Sequence, residues 1–243
     1  MSTDCINTFQ IRRASERGYT ELNWLKSHHT FSFGEFQDEA YNAFGFLRIL
    51  NDDVIVPNKG FATHGHQNME IVTLVLRGEV QHQDSVGHSL IIKAGGVQVM
   101  SAGTGIRHSQ WNPSDTIPLH LLQVWIYPET QGLTPSYQEH HFSREEKTGR
   151  WCLLVSPNSS YGEENALPIH QQARIYGTVL DAEATLPFKV EPHQRLWFHV
   201  ATGSVEMNGE TLKAGDAFGI FGQDVSLSFQ GLAQPTEIFA FEV

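Results

Sequence analysis

The chain has 243 residues and a formal net charge of −11, from 16 basic and 27 acidic side chains. That balance argues against a nucleic-acid or anionic-membrane partner, since both need a basic footprint. Hydrophobic residues make up 40% and charged residues 18%, a globular composition, and no apolar run approaches the ~18 residues of a membrane span.

The opening segment, MSTDCINTFQIRR, lacks the apolar core of a signal peptide. A cytoplasmic protein of one large or two small domains is expected. Cys5 and Cys152 form no CxxC pair and read as small packing residues. Helical periodicity is scarce. A short helix is predicted over 19–26 and another over 143–147. Short runs rich in Val, Ile, Leu and Phe predict strands over 44–50, 70–76, 80–82, 89–92 and 119–127. After a polar join over 131–150, further strands are predicted over 196–200, 205–207, 217–221, 225–229 and 237–241. Many short strands between Gly, Asn-Asp and Pro signals read as a β-sandwich or barrel.

The pattern repeats within the chain. Gly78 and Lys93-Ala94-Gly95 in the first half match Gly203 and Lys213-Ala214-Gly215 in the second. The glycines are 17 apart in the first copy and 12 apart in the second, the difference being a longer hairpin around 84–88. Asn208-Gly209 has the chemistry of a tight turn, because both positions need positive φ. Two similar β-domains in tandem follow: 1–130, a connection over 131–150, and 151–243.

Thirteen histidines raise the question of where they converge. In the segment 60–70, GFATHGHQNME, alternation along a strand would point His64, His66 and Glu70 the same way, with Gly65 admitting a close backbone. In 103–112, GTGIRHSQWN, His108 and Gln110 share a face. Facing strands in one barrel would bring His64, His66 and His108 together, and three neutral imidazoles suit Fe, Cu, Ni or Zn. Of the other histidines, the pairs His28-His29 and His140-His141 read as turn or surface residues. His82 and His88 read as solvated, and His120 as a hydrogen-bonded interior residue.

The spacing G-x3-HxH-x3-E-x7-G, followed by G-x4-H-x3-N, resembles the two cupin motifs. The strings LKSHHTFSF (25–33), GFLRILNDD (45–53), EVQHQDS (79–85) and MSAGTGIRHS (100–109) resemble the pirin family, closest to bacterial pirin-like proteins described as quercetin 2,3-dioxygenases. The match is strong over 23–135, and the second half resembles a diverged copy. The resemblance implies an all-β bicupin: two tandem cupin (double-stranded β-helix, jelly-roll) barrels, with one metal in the N-terminal barrel. The implied ligands are His64, His66, His108 and the residue at 110. Iron is the expected divalent metal, with Zn, Ni, Cu, Mn or Co as alternatives.

The family has Glu where this chain has Gln110. A Gln amide is neutral, a weaker donor, and no general base near neutral pH, so metal affinity and flavonol cleavage should both fall. Glu70 is the alternative carboxylate: it fills the position that supplies a ligand in many other cupins, and it reads otherwise as a base or as a hydrogen-bonding group behind the ligands. The resemblance thus implies a mononuclear metal protein of the quercetin 2,3-dioxygenase type, cleaving a flavonol-like aromatic substrate with dioxygen. The rival reading is a metal-bearing regulatory module that binds a protein partner without turnover. A monomer is expected.

The second barrel is expected to carry no metal. An offset of 125, taken from Gly78 and Gly203, aligns Lys189 and Glu191 with His64 and His66, and it leaves no histidine to match His108. Leu196, Phe198, Phe218 and Phe221 are expected to fill that barrel.

Overall fold

The structure is a computed structural model that describes residues 9–157, 165–232 and 235–243. Cys5 lies outside them. By its contacts the chain divides into two units. One comprises Arg17–Ser143 with Leu154–Ala173; the other takes the described parts of Met1–Glu16, Arg144–Leu153 and Arg174–Val243. By this division each unit draws on more than one stretch of the chain.

The strands in chain order begin with β1 (Gln10–Arg12), β2 (Gly18–Glu21), β3 (Leu25–His29), β4 (Leu47–Ile55), β5 (Gly60–His66) and β6 (Glu70–Arg77). Next come β7 (Glu79–Asp84), β8 (Ser89–Lys93), β9 (Gly96–Ser101), β10 (Ile106–Trp111), β11 (Leu119–Ile126) and β12 (Ser136–His141). The series continues through β13 (Cys152–Pro157), β14 (Leu167–Ile169), β15 (Arg174–Leu180), β16 (Thr185–Val190) and β17 (Arg195–Thr202). It ends with β18 (Ser204–Met207), β19 (Glu210–Lys213), β20 (Ala217–Phe221), β21 (Val225–Gly231) and β22 (Thr236–Glu242).

In the first unit a seven-stranded sheet ordered β12-β9-β6-β11-β4-β3-β2 accompanies a four-stranded sheet ordered β5-β10-β7-β8. The second unit has the same plan, with strands β1-β20-β17-β22-β15 and a four-stranded sheet β16-β21-β18-β19. The protein is all-β, and each unit carries the paired sheets of a cupin barrel.

The predicted helix over 19–26 is instead the β2–β3 hairpin, with Gly18 opposite His29 and Glu21 opposite Lys26. Its side chains alternate with period two: Leu25, Ser27 and His29 are buried or inward, Lys26 is exposed. The second predicted helix exists as one turn, Arg144–Lys147.

The repeat holds at the backbone. Gly78 and Gly203 have φ of 76° and 75°, and Gly95 and Gly215 have 88° and 86°. Ala94 N donates to Gly78 O and Gly95 N to Val75 O; Ala214 N donates to Gly203 O and Gly215 N to Val200 O. Asn208 and Gly209 turn β18 into β19 at φ 48° and 87°.

The offset of 125 fails, however, between β16 and β17. Three residues join β5 to β6, whereas four join β16 to β17. One extra residue flips every side chain to the other face. Lys189 therefore points outward, paired with Asp224, and the barrel-facing counterparts of His64 and His66 are Phe188 and Val190. The strand partner of His64 is His108, and that of Phe188 is Leu227. All three counterparts are apolar.

Phe198, Phe218 and Phe229 pack against one another there, with Phe198 and Phe218 stacked at 4.7 Å. Phe221, expected inside, is 56% exposed and lies under the Arg195 guanidinium, because β20 places it one step beyond inward Ile220. Phe198→Ala should destabilise the second unit by ~3–5 kcal/mol and lower its melting temperature, while metal content measured by elemental analysis stays at the wild-type value.

Candidate metal centre

β5 and β10 run antiparallel with His108 opposite His64 and Ile106 opposite His66. The approach is close at one glycine. A Cβ on Gly60 would lie 2.1 Å from the Gln110 carbonyl oxygen, whereas at Gly65 the nearest atom would be 3.7 Å away. Gly60, not Gly65, is thus the position that requires no side chain. The Gly103-Thr104-Gly105 turn, with φ of 45° and 138° at its glycines, feeds His108 into β10.

The three imidazoles meet. His66 Nε2 lies 3.0 Å from His108 Nε2, which lies 3.2 Å from His64 Nε2. Among the described residues, these three form the group of His, Cys, Asp and Glu side chains able to share a metal, with ligand atoms all within 4.8 Å. His64 Nδ1 donates to Ala62 O at 2.8 Å, which leaves its Nε2 lone pair free. The donor set fits a divalent transition metal: three imidazole nitrogens meet at one point, with no Lys or Arg among them.

Burial keeps His66 and His108 neutral. Loss of solvent, then the charge of His64, lowers His66 from 6.5 to about 4. Loss of solvent, then His64, His66 and His82, lowers His108 to about 3, against the pull of Asp84. In the unfolded chain both rings take protons near 6.5, so their contribution to stability is complete above that value and is lost as pH falls toward 4 and 3. The fall in melting temperature of metal-free protein between pH 7 and pH 5 should therefore be shallower in the His66→Gln, His108→Gln variant than in the wild type. Equal slopes would mean that the rings are not buried neutral.

Behind the cluster lies a polar group that sequence reasoning placed in solvent. His82 is fully buried, and its ring sits 5.4 Å from that of His108. β7 pairs with β10, so His82 lies opposite Gln110 and Asp84 opposite His108. Asp84 Oδ2 lies 3.1 Å from His82 Nε2 and 2.8 Å from His88 Nδ1. Its Oδ1 accepts from the backbone N–H groups of Val86, Gly87 and His88. Burial opposes its ionisation, but bonds from His82, His88 and Val86 outweigh that and hold the carboxyl below the usual range. Tyr137 covers both rings at 4.7 Å. The string EVQHQDS carried this arrangement; only the hairpin's register reveals it.

Gln110 is buried and engaged. Its Nε2 donates to Thr73 Oγ1 at 3.0 Å, and its Oε1 accepts from Gln123 Nε2 at 3.2 Å. Glu70 does not share the histidines' face: β5 ends at His66, Asn68 turns at φ 49°, and a new strand begins at Glu70. Its Oε2 accepts from Ser101 Oγ at 2.7 Å and His170 N at 3.3 Å, and burial raises its pKa against those bonds.

Two other histidine readings change. His29 is buried in a strand, bonded to Asn51 and Thr20, while His28 stacks beside Tyr19. His120 is bonded to Asp52 at 2.7 Å, as expected of an interior histidine.

The cluster opens on a cavity of about 390 Å³, with His64 and His66 on one wall and Trp24, Phe33, Phe61 and Trp125 among its apolar lining. The ring of Trp125 meets His66 edge-on at 4.9 Å. The volume falls within the ~300–1,000 Å³ range of small-molecule sites. No helix among the described residues is long and apolar enough to cross a membrane.

Residues 9–126 match the Pirin family, and residues 153–243 match the quercetinase C-terminal cupin domain. The chain is 42% identical over 211 residues to the quercetin 2,3-dioxygenase of Escherichia coli strain K12, covering 87% of this chain and 89% of that protein. It is similar to the crystal structure of YhhW from Escherichia coli, with a TM-score of 0.88, 39% identity and 97% of each chain covered. It is equally similar to the nickel(II) complex of that bacterial pirin, with a TM-score of 0.87, 39% identity, and coverage of 97% of this chain and 98% of that one. On sequence and fold, this chain belongs to the pirin family.

Proposed function

We propose that the N-terminal barrel holds one divalent transition metal through His64, His66 and His108, and that the loaded protein oxidises a flavonol-type substrate with dioxygen. The observation that carries this reading is the convergence of three imidazole Nε2 atoms at the wall of a cavity that carries four aromatic side chains. When bound, the metal supplies Lewis-acid activation of a chelating hydroxyl and a redox-capable centre for dioxygen. The relatives described as quercetin 2,3-dioxygenase and as a nickel(II) complex support both parts.

The chain's own residues have separable tasks. Ala62 O fixes the His64 tautomer. Trp24, Phe61, Phe33 and Trp125 offer faces and edges to a planar ring system. They also exclude water around it. Gln110, held by Thr73 and Gln123, keeps its position beside the cluster but can take no proton. The lack of a carboxylate there favours slow turnover, and it keeps the protein-binding reading as the alternative.

Elemental analysis of untagged protein, coupled to aerobic loss of quercetin absorbance, tests the proposal. One equivalent of metal with slow, metal-dependent loss is expected. Metal without any loss would leave the binding module as the function.

A further inference from the structure

The cavity beside the histidine cluster has a second wall of different chemistry. β3 and β4 pair with Ser27 opposite Asp53, and Asp53 faces Leu121 on β11. Ser27, His29, Asn51, Asp53, Gln110 and Gln123 supply the polar part of the lining. Most of these groups already have partners. His29 is held between Asn51 at 2.9 Å and Thr20 at 2.8 Å, and Gln110 and Gln123 bond to each other and to Thr73.

Asp53 differs. It is 3% exposed, and its Oδ1 has no hydrogen-bond partner among the described residues. A buried carboxyl oxygen without a donor is costly. Here it lies in the wall of a ligand-sized cavity that also carries the rings of Trp24, Phe33, Phe61 and Trp125.

We propose that Asp53 is a specificity-determining residue of this cavity: its carboxylate, with one oxygen unpartnered within the protein, turns to accept a hydrogen bond from a hydroxyl of the bound ligand, so the site selects hydroxylated aromatics over their unhydroxylated parents. The inference rests on the reading of the cavity as an aromatic-substrate site and deepens it. Ser27 faces Asp53 from β3, and Asp52, with its partners Arg17 and His120, is its chain neighbour. Burial pushes Asp53 up to about 7; Ser27 and His120 oppose that and Asp52 adds to it. The strong acceptor form is thus populated above neutral pH, and hydroxyl recognition should strengthen from pH 6 to pH 8.

The test is tryptophan-quenching titration of the as-purified protein with quercetin and with unhydroxylated flavone, from pH 6 to pH 8. A hydrogen bond to a charged group supports an expected loss of ~10-fold or more in quercetin affinity at pH 8 for Asp53→Ala. Flavone affinity should stay within about twofold, which also certifies an intact cavity. Asp53→Asn should lose the part of the pH dependence that the ligand's own ionisation does not explain. A wild-type quercetin-to-flavone ratio in Asp53→Ala overturns the proposal. Should the variants fail to fold, the wild type carries the test: the infrared difference spectrum on adding quercetin must show a buried carboxyl perturbed, and its absence overturns the proposal equally. Dioxygen uptake on the same samples separates the two claims. Asp53-dependent binding without uptake removes the oxygenase and keeps the recognition role. Uptake with unaltered selectivity does the reverse, and a wild type that binds neither compound removes both.

Discussion

Protein carrying His64→Ala and His66→Ala should contain no stoichiometric metal, where the wild type holds one equivalent. The expectation follows from the donor count. The described residues bring together three imidazoles and no carboxylate, so the double variant leaves His108 alone beside the neutral amide of Gln110. One nitrogen and one weak oxygen do not hold a divalent ion against water and buffer, because a site of this kind draws its affinity from several fixed donors. The second barrel offers no refuge, since its counterparts are Phe188, Val190 and Leu227 in an aromatic core. Inductively coupled plasma analysis after dialysis is the measurement. A full equivalent retained in the double variant would mean that the metal sits elsewhere. A crystal soaked in excess metal should likewise give anomalous signal in the N-terminal barrel alone.

The histidine cluster was legible because its information is local and periodic. HxH on one strand and a third histidine after a glycine turn need only the two-residue repeat and one strand pairing to converge. Parity fails where the chain turns: Glu70 shares the odd-even class of His64 and His66, but the Asn68 turn puts it in another sheet, under Ser101 and His170. The same failure moved Lys189 outward, because one added loop residue reverses a face while leaving the glycine repeat intact. Burial of His82 was invisible for a different reason. Nothing in EVQHQDS says that the hairpin folds against β10, and a solvated histidine costs nothing until Asp84 opposite His108 and the cover of Tyr137 are in place. The free oxygen of Asp53 belongs to this second class, since it depends on which neighbours already have partners.

Gln110→Glu should raise quercetin turnover by ~10²–10⁴-fold, the usual worth of general-base assistance. The surroundings are prepared for the change. Thr73 Oγ1 and Gln123 Nε2, within 3.0 Å and 3.2 Å of the present amide, can both donate to a carboxylate. Buried at 3% exposure, that carboxylate would be protonated in a site without a cation, and ionised beside one. The variant should accordingly bind metal more tightly than the wild type, and its metal-free form should gain a carboxyl with a raised pKa. Aerobic loss of quercetin absorbance, with dioxygen uptake as the stoichiometric check, measures the first effect; competition against a chelator measures the second. Tighter metal with unchanged turnover would show that proton removal does not limit the wild type and that a base is already present. Glu70 is then the weaker suspect, being bound to Ser101 and the His170 backbone. Asp53 is the stronger one, because it lines the same cavity as His64 and His66, has an oxygen without a partner among the described residues, and is pushed up to about 7 by burial. In that event Asp53→Asn alone should stop turnover, and Gln110→Glu should restore it.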